Sequence, residues 1–315
     1  MNIGILAFGS HIRKRIYACL SKNNNFNVKG FYTRNNYKGE NIQNDYKIKF
    51  FKNKLDLIKS KDIEIIYIAS PPNDHFNDIK LSLKNNKNVI CEKPIALSYK
   101  DFSKLISIAK KNKLFLFQAN QYKFHKHYNS VKNLILKDLD AKSKDRHLHL
   151  TFKIPMLDKF NFRIDSKFKN SSLHDIGFYP IDFSNSIFKK IKLINRFTVQ
   201  KPFNLYGNII AKSNRTNIYC EWGIGFQYSN SISYNSSMLH LFSENIFTKP
   251  DSFKPKIITK KGRGKLKEII LKSEDPYNNM LNYFHNVIVN KNFFEFQKYL
   301  NSEKKTIQHI DKIKI

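Results

Sequence analysis

Ile63-Glu64-Ile65-Ile66-Tyr67-Ile68-Ala69, closed by Ser70-Pro71-Pro72, is the stretch on which the fold turns. Apart from Glu64 it is apolar throughout rather than alternating, and isoleucine dominates it, which is the pattern of a strand buried on both faces. The two prolines end the strand, and a helical pattern follows over 74–84. The same alternation recurs on either side. Residues 2–8 read as a buried strand, 10–21 as a helix and 26–33 as a second strand. Beyond the helix, 88–91 is a short strand. Ser98 caps a helix to about residue 111, with Asp101 in its capping-box position, and 114–118 ends the series. Strands alternating with helices of this length require βαβ units and hence a doubly wound parallel sheet, with ligands expected at the carboxyl ends of the strands.

After about residue 122 the pattern changes. A strand is expected at 147–154 and a helix at 175–188. Strands then follow one another near 196–200, 208–211, 218–225, 229–235 and 239–242, before a closing helix at 278–289. Strand after strand with short turns predicts an open, mostly antiparallel sheet. The expected fold class is therefore α/β: an N-terminal Rossmann domain over 1–121 and an α+β domain over 122–315, with the last helix able to pack back on the first domain.

The composition narrows the function classes. The 315 residues, 41% of them hydrophobic, can bury a full core and are not those of a disordered chain. No apolar run approaches the roughly 18 residues of a membrane span. Met1 to Leu6 leads straight into a strand without a basic leader, so a cytoplasmic protein is expected. Cys19, Cys91 and Cys220 are far apart and odd in number, which predicts free thiols and neither a disulfide framework nor a metal site. The net charge is +31. Compositional bias toward Asn, Lys and Ile is the first explanation, and attraction of an anionic small substrate the second. Nucleic-acid binding is not expected, because the lysines are scattered and no recognition motif accompanies them.

Four motifs carry chemistry. The first turn reads Gly4-Ile5-Leu6-Ala7-Phe8-Gly9-Ser10-His11-Ile12. In a dinucleotide fingerprint the three glycine slots are Ala7, Gly9 and Ile12, so only the middle one, where backbone meets pyrophosphate, is kept. Ala7, Phe8, Gly9, Ser10, His11 and Ile12 are the expected phosphate contacts, helped by the free N–H groups of the helix start. The second strand ends in Thr33-Arg34 rather than in an acidic residue, which favours the 2′-phosphate of NADP over the ribose hydroxyl of NAD, the alternative being an ordinary exposed loop arginine. Ser70, Pro71 and Pro72, with His75 behind them, are placed to cover a nicotinamide. Cys91-Glu92-Lys93-Pro94 puts a charged pair at a buried strand end, where Lys93 would be partly desolvated and able to exchange a proton, and Pro94 could adopt a cis bond that sets its aim. In Leu173-His174-Asp175-Ile176-Gly177-Phe178-Tyr179-Pro180, Asp175 and Tyr179 stand at i and i+4 and share a helix face, with His174 off it. A phenol can protonate a forming alkoxide and a carboxylate can hold a sugar hydroxyl. Asp175 could equally do no more than favour the helix dipole.

Taken together, the Gly4–Gly9 turn, Ala69-Ser70-Pro71-Pro72-Asn73-Asp74-His75, Val89-Ile90-Cys91-Glu92-Lys93-Pro94 and Asp175-Ile176-Gly177-Phe178-Tyr179 resemble the Gfo/Idh/MocA oxidoreductases in order and spacing. The resemblance implies an NAD or NADP cofactor and a second domain that binds substrate and often pairs sheet-to-sheet, so a homo-oligomer through the C-terminal sheet is expected. It implies that Lys93 binds and helps protonate the substrate oxygen, that Tyr179 is the acid/base group and that Asp175 orients the substrate, with Gln121, Tyr122, Arg163 and His174 as further substrate contacts and Glu92 beside the cofactor. Within the family, Phe152-Lys153-Ile154-Pro155, Arg163, Tyr179-Pro180, Gly225-Phe226-Gln227-Tyr228 and Phe247-Thr248-Lys249-Pro250 are most similar to the nucleotide-hexose 3-ketoreductases. That implies NADPH reduction of a keto-sugar, in deoxysugar or surface-polysaccharide biosynthesis. The alternatives are a dehydrogenase of a free sugar or cyclitol, and a ligand-binding relic without catalysis. The sequence departs from the family pattern at Ala7 and Ile12, at Lys169-Asn170-Ser171-Ser172 in place of a glycine-rich lead, and at Lys123 and Lys126 in place of an arginine and a proline.

Overall fold

Isoleucine, valine and phenylalanine side chains on both faces of five short strands form the first core. The computed structural model describes residues 1–158, 161, 172–198 and 205–313. These divide into two compact units, Met1–Gln121 with Tyr277–Ile307 and Tyr122–Pro276 with Gln308–Ile315. In the first unit β1 (Asn2–Leu6), β2 (Asn27–Tyr32), β3 (Ile65–Ile68), β4 (Asn88–Glu92) and β5 (Leu116–Ala119) pair in parallel in the order β2-β1-β3-β4-β5. All four residues of β3 are buried, as its unbroken apolar run requires. A parallel bridge between Phe31 and Phe50 extends the sheet beyond β2. The order reverses between β1 and β3, and a doubly wound sheet of this kind binds ligands at such a switch point.

The helices between the strands follow local signals. The first is π-helical over Ile12–Tyr17 and continues as α1 (Ala18–Leu20). Then come α2 (Asn36–Tyr46), α3 (Lys54–Lys59), α4 (Pro72–Lys84) and α5 (Tyr99–Lys111). Ser98 caps α5 as expected: its hydroxyl accepts from Asp101 N at 3.1 Å and donates to the Asp101 carboxylate at 2.9 Å. The sequence reading misses α2 and α3, because α2 buries only Gly39 and Ile42 and α3 only Leu57 and Ile58. Their starts are nonetheless marked by Asn35 and Asn53, each of which accepts a backbone N–H. Of the C-terminal helices α8 (Pro276–Val289) and α9 (Phe293–Ile313), Phe284 stacks on Phe117 of β5 at 4.2 Å and Phe296 and Tyr299 meet it edge-on.

The second unit holds an eight-stranded sheet: β6 (Arg146–Ile154), β7 (Lys192–Thr198), β8 (Tyr206–Ser213), β9 (Thr216–Ile224), β10 (Ser229–Asn235), β11 (Leu239–Glu244), β12 (Lys256–Lys261) and β13 (Lys267–Ile270), in the order β13-β12-β11-β10-β6-β9-β8-β7. Every neighbouring pair is antiparallel except β6 and β9, which run parallel at the centre. Period-two burial gives the sheet one covered face, with Leu148, Leu150, Ile218, Cys220, Trp222, Ile232 and Leu241 pointing into the core. The opposite face leaves Phe197, Ile210 and Tyr219 open. β12 and β13 escape a sequence reading because lysines interrupt them and β13 is exposed along its whole length.

The helices α6 (Lys126–Asp140) and α7 (Phe178–Ile187) complete this core, with Ile310 and Ile313 from the end of α9. Apart from Ser186, every residue of α7 is buried, the polar Asp182, Ser184 and Asn185 included, so it is enclosed all round rather than on one stripe. Gly177, at its start, lies flat against the Trp222 indole, and a Cβ there would fall 2.7 Å from the ring. Among the described residues no helix is long and apolar enough to cross a membrane, and all three cysteines are free thiols, Cys91 and Cys220 of them buried. Gly177→Ala is expected to destabilise the protein by about 1–3 kcal/mol through overpacking, read as a lower urea midpoint; an unchanged midpoint would remove the close approach as a constraint.

Candidate active site

The first unit presents three loops at the carboxyl ends of its strands. After β1, Ala7 adopts φ +70°, a left-handed conformation that favours glycine, and its N–H donates to Tyr32 O at 2.9 Å. Gly9 is different. A Cβ added there would meet nothing within 4 Å, so no atom of the protein demands a glycine at this point. The open space above the turn, beside a helix start whose N–H groups are free for a ligand, fits a dinucleotide pyrophosphate. Ile12, in the third fingerprint slot, is buried and opens the π-helical stretch. His11 stays half-exposed, with Nε2 3.3 Å from the Glu92 carboxylate. Beyond β2, Thr33 is partly buried, while Arg34 is exposed and has no hydrogen-bond or ion-pair partner among the described residues.

The loops after β3 and β4 are tied together from beneath. Ser70 donates to Asp78 at 2.7 Å, and Lys54 pairs with the other oxygen of that buried carboxylate at 2.7 Å. His75, 1% exposed, sets Nδ1 2.8 Å from Pro94 O and Nε2 2.7 Å from Ser70 O. Both nitrogens of His75, expected beside the cofactor, are engaged with backbone, so the ring braces the two loops. Burial pushes the His75 imidazole below its ordinary value, against the pull of the two carbonyls and of the Glu92 and Asp78 charges. The Lys93–Pro94 bond is cis, and Ile95 N donates to the Gln118 side chain at 2.7 Å. Glu92 accepts from the Tyr67 hydroxyl at 2.7 Å. Burial alone would raise its carboxyl, but His11, Tyr67 and Lys93 together hold it below the usual value. The strand-end lysine therefore stands on a backbone fixed on both sides. Ser70, Pro71 and Pro72 are partly exposed beside it.

The second unit places the other sequence-derived residues. His174, Asp175 and Tyr179 are all buried. The helical face expected for them needs correction, because Leu173–Gly177 is π-helical and only Phe178–Ile187 is α-helical. In a π turn the hydrogen bonds span five residues, so the i, i+4 spacing of Asp175 and Tyr179 does not by itself set them apart from His174. π-Bulges of this kind occur frequently at functional sites. The Tyr179 ring is boxed by Tyr122, Phe152 and Phe247 at 5.2–5.7 Å. Tyr122, expected among the substrate contacts, donates its hydroxyl proton to buried Asp182 at 2.5 Å, and Lys123 pairs with the other Asp182 oxygen at 2.8 Å. Lys123 is thus the counter-ion of a buried carboxylate. Gln121 is buried at the start of a 3₁₀ turn. Arg163 lies outside the described residues.

A second group escapes the sequence reading. At the start of α6, His125 Nδ1 accepts from His127 N at 2.9 Å, and His127 Nε2 lies 2.7 Å from Ser243 Oγ. Burial, then the charge of Lys249, pushes the His125 imidazole down to about 4 and that of His127 to about 2. The only hint in the sequence is the His-x-His spacing at a helix start. Among the described residues no cluster of histidine, cysteine or carboxylate could hold a metal ion.

Comparisons with known proteins bear on this geometry. Residues 1–120 match the Gfo/Idh/MocA family, described as an oxidoreductase family with an NAD-binding Rossmann fold, which bears out the likeness read from the motifs. The chain is 21% identical over 285 residues to the dTDP-3,4-didehydro-2,6-dideoxy-α-D-glucose 3-reductase of Saccharopolyspora spinosa, covering 87% of this chain and 83% of that one. It is 24% identical over 192 residues to the uncharacterized oxidoreductase YgjR of Escherichia coli, a match spanning 58% of this chain but only 57% of that one. The crystal structure of KijD10, a 3-ketoreductase from Actinomadura kijaniata in complex with NADP and TDP-benzene, superposes with a TM-score of 0.91 at 16% identity, over 99% of this chain and 96% of that one. These likenesses establish the fold of both units.

The two buried histidines fix a pH dependence. Their folded values lie below the ordinary 6.5, so below that pH the unfolded chain takes up protons that the folded chain refuses. Their stabilising contribution is complete above about pH 6.5 and is lost as pH falls, through about 4 for His125 and about 2 for His127. Each unmatched proton is worth up to about 1.4 kcal/mol per pH unit. Urea unfolding followed by the single tryptophan, Trp222, should show stability falling between pH 6.5 and about 4.5, and His127→Gln should flatten the fall; equal slopes would contradict the assignment.

Proposed function

We propose that this chain, whose first 120 residues match an NAD-binding oxidoreductase family, is an NADPH-dependent reductase of a nucleotide-linked keto-sugar. The observation that carries the reading is the build of the β4 loop: a lysine at a strand end, ahead of a cis-proline, its loop braced by His75 and Gln118. A lysine so held is of use where a substrate oxygen must be met in one position. The backbone of Ala7–Ile12 holds the pyrophosphate, and Arg34, exposed and unpaired, meets the 2′-phosphate. The cofactor, when bound, supplies hydride for the carbonyl carbon. Lys93 or Tyr179 delivers the proton to the carbonyl oxygen, and Asp175 holds a neighbouring hydroxyl. The relatives named as dTDP-sugar 3-reductases support the substrate class. The same residues run in reverse would serve a dehydrogenase of a free sugar or cyclitol. The open face of the second sheet, where Phe197 and Ile210 are exposed and Tyr219 lies across from Ile210, is the surface through which the chain would form a homo-oligomer.

Titration with NADPH and NADH, followed by nicotinamide fluorescence, tests the first step. NADPH should bind about 10–100-fold more tightly, the worth of a charge-assisted contact, and Arg34→Ala should abolish the difference. Failure of the wild-type chain to bind either dinucleotide would end the enzyme reading. Lys93→Met should retain NADPH binding while lowering kcat on a keto-sugar by about 10²–10⁴-fold, and an unchanged kcat would remove Lys93 from the reaction.

A further inference from the structure

The loop after β11 carries a cation that no anion among the described residues meets. Lys249 Nζ donates to Ile246 O at 3.2 Å, its only polar partner among the described residues. It is half-buried, and burial alone, with no carboxylate acting against it, pushes the ammonium down to about 8. Glu274 does not neutralise it, because that carboxylate is engaged by Lys126, through the side chain at 2.9 Å and the backbone N–H at 3.0 Å.

The groups around the lysine add no negative charge. His125 accepts on Nδ1 from His127 N, so its proton sits on Nε2, which is buried and has no acceptor. Ser243 spends its own proton on Lys256 O, so it accepts from His127 Nε2–H and leaves His127 Nδ1 without a partner. Both rings are neutral when buried in this way. The loop itself is held rigidly against the Tyr179 box. Phe247 packs on Tyr122, Phe152 and Tyr179. Asn230 accepts from Phe247 N at 3.0 Å and donates to Thr248 O at 2.9 Å. Thr248 and Tyr228 meet through their hydroxyls at 3.0 Å.

A fixed, half-buried ammonium without a counter-charge is unfavourable in the free protein and becomes favourable when a ligand supplies the anion. We infer that Lys249 is the anchor for a phosphoryl group of the substrate, the diphosphate of a nucleotide-linked sugar, held on the same element that packs against Tyr179. This inference rests on the proposed reductase function and specifies its substrate as phosphorylated. A phosphoryl oxygen would take the remaining ammonium protons in charge-assisted bonds, and the net charge of +31 would draw such a ligand in.

The test compares the full-length wild type with Lys249→Met and Lys249→Arg, using thymidine diphosphate, uridine diphosphate and inorganic pyrophosphate as probes in calorimetric titrations, with NADPH titrated in parallel. Wild type should bind at least the nucleoside diphosphates. Lys249→Met should weaken them about 10-fold or more, the worth of one charged hydrogen bond, while Lys249→Arg keeps most of the affinity and NADPH binding stays the same in all three. Because no charged partner among the described residues meets it without ligand, Lys249→Met should melt no lower than wild type, and pyrophosphate should raise the melting temperature of wild type and Lys249→Arg but not of Lys249→Met. Pyrophosphate bound as tightly as the nucleoside diphosphates would place recognition in the phosphoryl groups alone, which also supports the anchor. Affinities for all three probes within twofold of wild type in Lys249→Met, no binding of any probe to wild type, or a clear fall in melting temperature of the methionine variant would each overturn the inference. Loss of NADPH binding by wild type would instead overturn the reductase reading.

Discussion

A single buried imidazole stands between the two loops on which the first unit's chemistry depends. His75 reaches Ser70 O with one nitrogen and Pro94 O with the other. A neutral imidazole has one N–H, so each tautomer satisfies one carbonyl and leaves the second facing a lone pair, whereas the imidazolium satisfies both. Burial opposes that charge, and the Glu92 and Asp78 carboxylates favour it. The loop after β3 and the loop after β4 are therefore coupled through one titratable group seated on α4. The same helix supplies Asp78, which holds the Ser70 hydroxyl and the Lys54 ammonium. What positions Lys93 is thus the face of α4 turned toward the sheet, together with the Gln118 side chain that takes Ile95 N and is itself bonded to buried Glu303.

The second unit solves a comparable problem with aromatic packing. Tyr179 has no freedom to rotate out of the ring set formed by Tyr122, Phe152 and Phe247. Tyr122 is in turn anchored to Asp182, one turn further along α7, whose charge is balanced by Lys123. Burying a carboxylate of this kind is costly without a partner. Lys123 therefore has a defined task, and charge rather than bidentate geometry is what that task requires. Set beside this balanced pair, Lys249 differs: among the described residues no carboxylate balances it.

The excess of lysine can be weighed in the same terms. Most of the positive charge is spread over exposed positions, where single ion pairs contribute little. The pairs of Lys54 with Asp78 and of Lys123 with Asp182 are the exceptions, since both carboxylates are buried. Electrostatics therefore acts in this molecule at a few enclosed points, against a diffuse field that favours anionic ligands in general.

By itself the sequence determined the five strands of residues 1–121 and the helices between them except α2 and α3, because continuous apolar runs, proline stops and the Ser98 cap are local signals whose physics is complete within a few residues. It also placed the turn at Gly9, the Lys93–Pro94 strand end and the helix bearing Asp175 and Tyr179. Only the tertiary structure decided what these residues touch. That His75 braces two loops depends on Ser70 and Pro94 coming together across adjacent parallel strands. That Tyr122 serves Asp182 depends on α7 crossing the start of α6. The parallel pairing of β6 with β9, and the absence of a carboxylate partner for Lys249 among the described residues, follow from neighbours distant in the chain, and neither period nor propensity records them. The π-helical turn at Leu173–Gly177 belongs to the same class, since Gly177 is there to let the Trp222 ring approach the backbone. Local pattern encodes which elements form, whereas the partners of a buried polar or charged group are set by the packing of those elements, where desolvation makes each missing or present partner count.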